Sequence, residues 1–381
     1  MPIVTAPAML LGRDLVADAW LVYDDGRVVA VGDGPPPAAP DVVLRSGVLA
    51  PGLVDIQCNG AFDHDLASTD DEGWDEVMRR LPELGVTAVV PTFVTAPLLE
   101  LTAALRAAAG RTPVARGARC LGVHVEGPYL SPARPGAHRV DLLREPDEDE
   151  IERLIDAGRG VLRYVTLAPE LPGALDAVRQ FTAAGIRVAV GHSDATDAQV
   201  LAAVDAGATL VTHLYNAQRP LAHRDAGVVG AALSEPRLTV GLIADLEHVL
   251  PTALRVAFAA AGDRIALVSD ASPTLGVAPG RYRFAGDTVV VDAVGAPPRR
   301  EDGTLAGSAL RLDHAVRNVI ACGIEPATAL LAATRTPADA VGASDVGRLE
   351  PGSHADLVWF DDDWTLRATW VGGHLVNGST P

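Results

Sequence analysis

Between Leu53 and Ser272 the chain alternates short apolar runs with longer helical patterns. The runs read "LVDIQC", "GVTAVVPTF", "CLGVHVEG", "LRYVTLAPE", "RVAVGHS", "TLVTHLYN", "TVGLIAD" and "RIALVSDAS". Between them lie stretches such as "DEDEIERLIDAG" and "PTALRVAFAAAG", each with an apolar stripe and a terminal glycine stop. Strand and helix in strict alternation is the pattern of a parallel sheet wrapped by helices. Eight such units in roughly 220 residues predict a closed (β/α)8 barrel, a fold that absorbs about 250 residues as one unit.

The two ends follow a different rule. "AWLVYDDGRVVAVG" reads as two strands joined by an Asp-Gly turn, and "GRLEPGSHADLVWFDDDWTLRATWVGGHLVNG" alternates strand and turn. We expect residues 1–50 and 343–381 to build a small β-sandwich from both termini, with the barrel over 51–342. A further hairpin, "GRYRFAGDTVVVDAVG", interrupts after the eighth strand, and "GDGPPPAAPD" reads as a surface loop. The net charge of −18 argues against nucleic acid or an anionic membrane as partner, and leaves an anionic small substrate in need of a local basic pocket. Cys58, Cys120 and Cys322 are far apart and unpaired in pattern, as expected of buried reduced thiols in a cytoplasmic protein. The first residues, "MPIVTAPAMLLGRDLV", lack the basic and apolar regions of a signal peptide.

In a (β/α)8 barrel the chemistry sits at the C-terminal ends of the strands. Strand three ends in Glu126, strand five in His192, strand six in His213 and strand eight in Asp270. Singly, each has an ordinary alternative: a hydrogen-bonded structural histidine, a salt-bridge partner or a helix N-cap. Four at one mouth are another matter. Glu126, His192 and His213 make a carboxylate and two imidazoles, a set that leaves a divalent metal room for water, as in catalytic zinc sites. Bound zinc lowers the pKa of its water to about 7 and polarises a carbonyl, and Asp270 then fits a general base and acid.

Strand one raises a question, because the His-x-His that would supply a second metal is replaced by Gln57 and Asn59. One metal per subunit is therefore expected. Zinc suits the ligands; iron, manganese or cobalt would too. The carboxamides are left to hydrogen-bond site groups or substrate, or merely backbone. His64 is either a second-site ligand or a loop histidine.

These motifs, with "APGLVDIQCNGAFDHDL", "GVHVEGPYLSPARPGAH", "THLYNAQRPLAHRDAGVVGAAL", "DGTLAGSAL" and "GRLEPGSHADLVWFD", run nearly end to end. The chain resembles the N-acetylglucosamine-6-phosphate deacetylases of the amidohydrolase superfamily, in their single-metal branch. The resemblance implies Glu126, His192 and His213 as metal ligands and Asp270 as catalytic acid and base. It implies His138 beside the acetamide carbonyl with Ala137 next to it, and sugar-phosphate contacts from Asn216, Ala217 and His248. Arg224 matches an arginine that family dimers offer to the phosphate, so a homodimer is expected, and Leu305, Ala306 and Gly307 match a loop that closes on the sugar. A local cluster of Arg219, His223, Arg224 and His248 would offset the acidic surface.

The chain departs from the family at "ADLEHV", where Asp-Gly is usual, and at Gln218, where methionine is common. Leu246 is not expected to take the φ > 0 conformations open to glycine, and Glu247 brings negative charge towards the implied phosphate pocket. The expected reaction is removal of acetyl from N-acetylglucosamine 6-phosphate. N-acetylgalactosamine 6-phosphate, an unphosphorylated amide, or a catalytically dead sugar-phosphate sensor stand as alternatives.

Overall fold

The structure is a computed structural model and describes residues 1–379. The first barrel strand, Leu53–Cys58, pairs in parallel with Val86–Val94, which pairs with Val123–Glu126. The ladder continues through Leu162–Leu167, Arg187–Val190, Leu210–Val211, Thr239–Leu242 and Ile265–Leu267, always in parallel. The eighth run returns to the first through a parallel bridge between Cys58 and Ala271, with Asp270 N–H donating to Gln57 O at 2.9 Å and Asn59 N–H to Ala271 O at 2.7 Å. The circle therefore closes at the functional end. These strands are rich in apolar residues because both faces are covered: Val54, Val89, Val125, Val188 and Val240 are all fully buried.

The helices begin and stop where the side chains dictate. Glu148–Ala157 starts on Asp147, whose carboxylate accepts from the Glu150 amide, and stops at Gly158. Asp197–Ala206 opens with a capping box of Thr196 and Gln199, and Pro251–Ala261 carries its proline at the first position. The turn at Asp25 and Gly26 has φ of 44° and 74°, both left-handed, as a two-residue hairpin of this hand demands.

Strands from both chain ends join into one eight-stranded sheet, in which Leu357–Phe360 lies antiparallel to Val48–Pro51. Met9, Leu21, Leu49 and Trp370 sit in a core of its own. After the eighth barrel strand, Gly280–Phe284, Asp287–Val291 and Arg299–Arg300 form a three-stranded flap. The cysteines correct one expectation: all are free, but only Cys58 is buried, Cys120 is exposed and Cys322 lies between. No described helix is long and apolar enough to cross a membrane.

Candidate active site

Glu126 is the last residue of its strand, and His192, His213 and Asp270 lie two or three residues beyond theirs. All four are at most 9% exposed. His192, His213 and Asp270 have φ of 47°, 30° and 48°. Non-glycine residues are held in this region at a cost of order 1–3 kcal/mol each, and persist where the surroundings over-determine them. Three such residues at one end of one barrel mark where the fold trades stability for placement.

Glu126 Oε1 lies 3.1 Å from His213 Nε2 and 3.3 Å from His192 Nε2, and the two imidazole nitrogens are 3.0 Å apart. The other nitrogen of His192, Nδ1, is 3.1 Å from the Arg134 carbonyl, which can only accept. Nδ1 therefore carries the proton, and in the neutral ring Nε2 turns a lone pair inward. The Nε2 atoms of both histidines and a buried carboxylate oxygen converge on one point, the donor set of a divalent cation, and the residues fit one. Burial alone would raise the Glu126 carboxyl, but the hydrogen bonds and charge of His192 and His213 outweigh it and hold it well below the usual range.

Asp270 is pushed up to about 6, first by burial and then by the charge of Glu126, while His213 and Asn59 act in the opposite sense. Here the question of strand one is answered. Asn59 Nδ2 donates to Asp270 Oδ1 at 2.9 Å, and Gln57 Nε2 lies 3.1 Å from the same oxygen and 3.4 Å from Glu126 Oε2. Where two further ligands would stand, two carboxamides tether the carboxylates. Asp55 supports this end from below, accepting from Ser269 Oγ at 2.5 Å and from the Gln57 amide.

His138 is 7% exposed and edge-on to His192 at 4.4 Å between ring centroids. Burial first, then the neighbouring histidines, lower it to about 3, so it is neutral at ordinary pH. Its Nδ1 is 2.8 Å from Thr95 Oγ1, which also reaches the Glu126 carbonyl at 3.2 Å. Thr95 was not singled out in the sequence, and nothing in "TFVT" marks it. When its hydroxyl donates to Nδ1, the proton of His138 sits on Nε2.

A cavity of about 370 Å³ opens over these groups. Ala137, His138, Asn216, Ala217, His248, Leu305 and Gly307 line it, together with Asn59, Glu126, His192, His213 and Asp270. Ala306 is not on the lining: it is buried beneath the flap with Phe284 and Val289. Arg224 is exposed and outside the cavity. Arg219 is engaged elsewhere, with Nη2 2.6 Å from Asp225, so of the expected basic cluster only His248 reaches the lining. His64 sits between Glu76 and Thr69 at 3.4 and 3.3 Å, apart from the site. Phe284 and Arg299 of the flap line the cavity too, a contribution that the hairpin pattern alone did not disclose.

The amidohydrolase family model matches residues 48–376, most of the chain. The chain belongs to the amidohydrolase family. It is 38% identical to an N-acetylglucosamine-6-phosphate deacetylase of Vibrio furnissii, covering 97% of this chain and 94% of the relative. It is 37% identical to an N-acetylgalactosamine-6-phosphate deacetylase of Escherichia coli, covering 98% and 99%. Among solved structures, the N-acetyl-D-glucosamine-6-phosphate deacetylase of Mycobacterium smegmatis superposes with a TM-score of 0.93 at 36% identity, covering 99% of this chain and 100% of that one. A mutant of that enzyme, solved in complex with N-acetyl-D-glucosamine-6-phosphate, matches with the same score.

Within this amidohydrolase the departures resolve locally. Leu246 does take the left-handed conformation, with φ of 67°, contrary to expectation. The Asp245 carboxylate accepts from the amides of Glu247 and His248 at 2.9 and 2.8 Å and holds the turn, while Leu246 packs against the barrel core. Gln218 is buried; it accepts from the Tyr215 amide at 3.0 Å and donates to the Thr212 carbonyl at 2.7 Å. A methionine there could satisfy neither group.

Proposed function

We propose that this amidohydrolase removes the acetyl group from N-acetylglucosamine 6-phosphate, giving glucosamine 6-phosphate and acetate. The observation that carries the reading is the convergence of Glu126, His192 and His213 on one point of a cavity that Asp270 also lines. The full-length likeness to deacetylases of N-acetyl amino sugar 6-phosphates supports it.

Glu126, His192 and His213 would hold the divalent ion, with zinc the best match to two imidazoles and a carboxylate. Such an ion, when bound, acidifies water and polarises an amide carbonyl. The chain's own residues do the rest. Asp270, ionised above about pH 6, takes the proton of the attacking water and later returns it to the leaving nitrogen. His138 is neutral, and in the tautomer in which Thr95 Oγ1 donates to its Nδ1 it carries its proton on Nε2 and donates it to the carbonyl oxygen as negative charge gathers there. Asn216, Ala217, His248 and the loop from Leu305 to Gly307 hold the sugar. An exposed Arg224 suits contribution to a neighbouring subunit in a cytoplasmic homodimer.

The test is acetate release from a panel of N-acetylglucosamine, N-acetylgalactosamine and their 6-phosphates, with metal analysis of the same sample. We expect the fastest release from N-acetylglucosamine 6-phosphate. The Escherichia coli relative makes the galactosamine epimer the one serious competitor, and absence of acetate from every member would sink the hydrolytic reading.

A further inference from the structure

The cavity faces an electrostatic problem. The chain carries a net charge of −18 and no lysine, and two acids, Glu126 and Asp270, already stand in the lining. Among the described residues of that lining Arg299 is the one arginine. It belongs to the short third strand of the flap, paired with Asp287–Val291.

Its guanidinium is loosely held. Nη2 reaches Glu247 Oε2 at 3.4 Å and Nη1 reaches the Gly303 carbonyl at 3.3 Å, both long, single contacts. The Arg299 and Glu247 side chains are 41% and 56% exposed, so the pair is solvated and weak. A guanidinium has five N–H donors, and most of these remain free. Glu247 adjoins His248, which lines the same cavity and whose Nδ1 is fixed by Asp245 at 2.6 Å. The contact thus joins the turn after strand seven to the flap, and both Arg299 and His248 line the same cavity.

We infer that Arg299 is the residue by which this chain itself recognises the anionic end of its substrate, and that Glu247 is the carboxylate it must leave to do so. A phosphate dianion offers a planar fork two acceptor oxygens and more charge than one carboxylate, so it displaces the weaker partner. Glu247 then stands beside the bound phosphate without its counter-charge, which lowers affinity for the anion. The two residues act with opposite sign on one specificity. This rests on the deacetylase reading and adds the residue that reads the phosphate from within the subunit.

The experiment measures acetate release from N-acetylglucosamine 6-phosphate and from the free sugar, in the full-length metal-loaded chain and in Arg299→Gln, Arg299→Lys and Glu247→Gln. In Arg299→Gln we expect KM for the phosphorylated sugar to rise about tenfold or more while kcat changes little, a loss typical of a charged hydrogen bond. Preference for the phosphorylated over the free sugar should fall by a like factor, with partial recovery in Arg299→Lys. Glu247→Gln should move the other way, lowering that KM several-fold and tightening inhibition by inorganic phosphate. Unaltered KM and preference in Arg299→Gln, or a weakened preference in Glu247→Gln, overturns the inference. If the unaltered chain releases acetate from neither sugar, the deacetylase reading has failed. Titration with inorganic phosphate then judges Arg299 alone: clearly weaker binding in Arg299→Gln supports it, equal binding ends it.

Discussion

Asn59 Nδ2 donates to Asp270 Oδ1 at 2.9 Å, across the seam where the first and eighth barrel strands meet. The same nitrogen lies 3.1 Å from the Ala271 carbonyl. Both neighbours are acceptors, so the carboxamide can point only one way. Asp270 is thereby held by a neutral donor where a histidine would have brought a second ion.

This fixes the sense of a pH prediction. A donor to the charged form of a carboxyl favours that form and lowers its pKa. Asn59→Leu removes the donor, so the pKa of Asp270 should rise above its value of about 6. The acid limb of kcat/KM should move up by of order one pH unit, cutting the rate near pH 6 about fivefold and sparing nearly all of it at pH 8. An acid limb that stays in place would show that Asn59 does not govern Asp270.

Asp270→Asn keeps the volume and removes the base. Turnover should fall by about 10²–10⁴-fold, the usual worth of a positioned proton-transfer group. Metal content should stay near that of the unaltered chain, because the converging triad does not include Asp270. Near-normal turnover would take Asp270 out of the mechanism.

Thr95 has one hydroxyl proton and two neighbours that can receive it, His138 Nδ1 at 2.8 Å and the Glu126 carbonyl at 3.2 Å. Thr95→Val leaves nothing to direct the ring proton of His138. We expect kcat to drop about tenfold or more, the scale of one misdirected oxyanion donor, with little change in KM. Thr95→Ser should restore most of it. A variant in which only KM suffers would mean that Thr95 shapes the cavity instead.

Much of this was legible along the chain, for a physical reason. Strands covered on both faces must be predominantly apolar, so Val54, Val125 and Val240 announce the barrel. A polar residue at the C-terminal end of such a run, as at Glu126 or His213, stands out against it. What could not be read depends on partners far away in sequence. Asn59 meets Asp270 across 211 positions, and Arg299 meets Glu247 across 52. Leu246 misled for a local reason: leucine disfavours φ > 0, but a partly buried side chain packed on the core and the Asp245 carboxylate hold it there. Ala306 sat in a recognisable loop, yet one residue's shift along it separates the cavity wall from the packing beneath the flap.

The last prediction concerns the ion. The donor atoms of Glu126, His192 and His213 lie within 4.8 Å of one another, close enough to share one cation. An ion that binds the folded chain but not the unfolded one stabilises it by about 2.7 kcal/mol at a hundred times its dissociation constant. Chelation should therefore abolish turnover and lower Tm by roughly a few degrees, and added zinc should restore both. His213 titrates above the usual histidine range, since Glu126 outweighs its burial. Protons thus compete for Nε2, and metal affinity should fall as pH drops towards that raised pKa and below it. His192→Ala and His213→Ala should each remove the zinc-dependent part of Tm while leaving a folded chain. A Tm indifferent to chelation, with no metal bound in the purified chain, would mean that the three side chains meet for some purpose other than holding a cation.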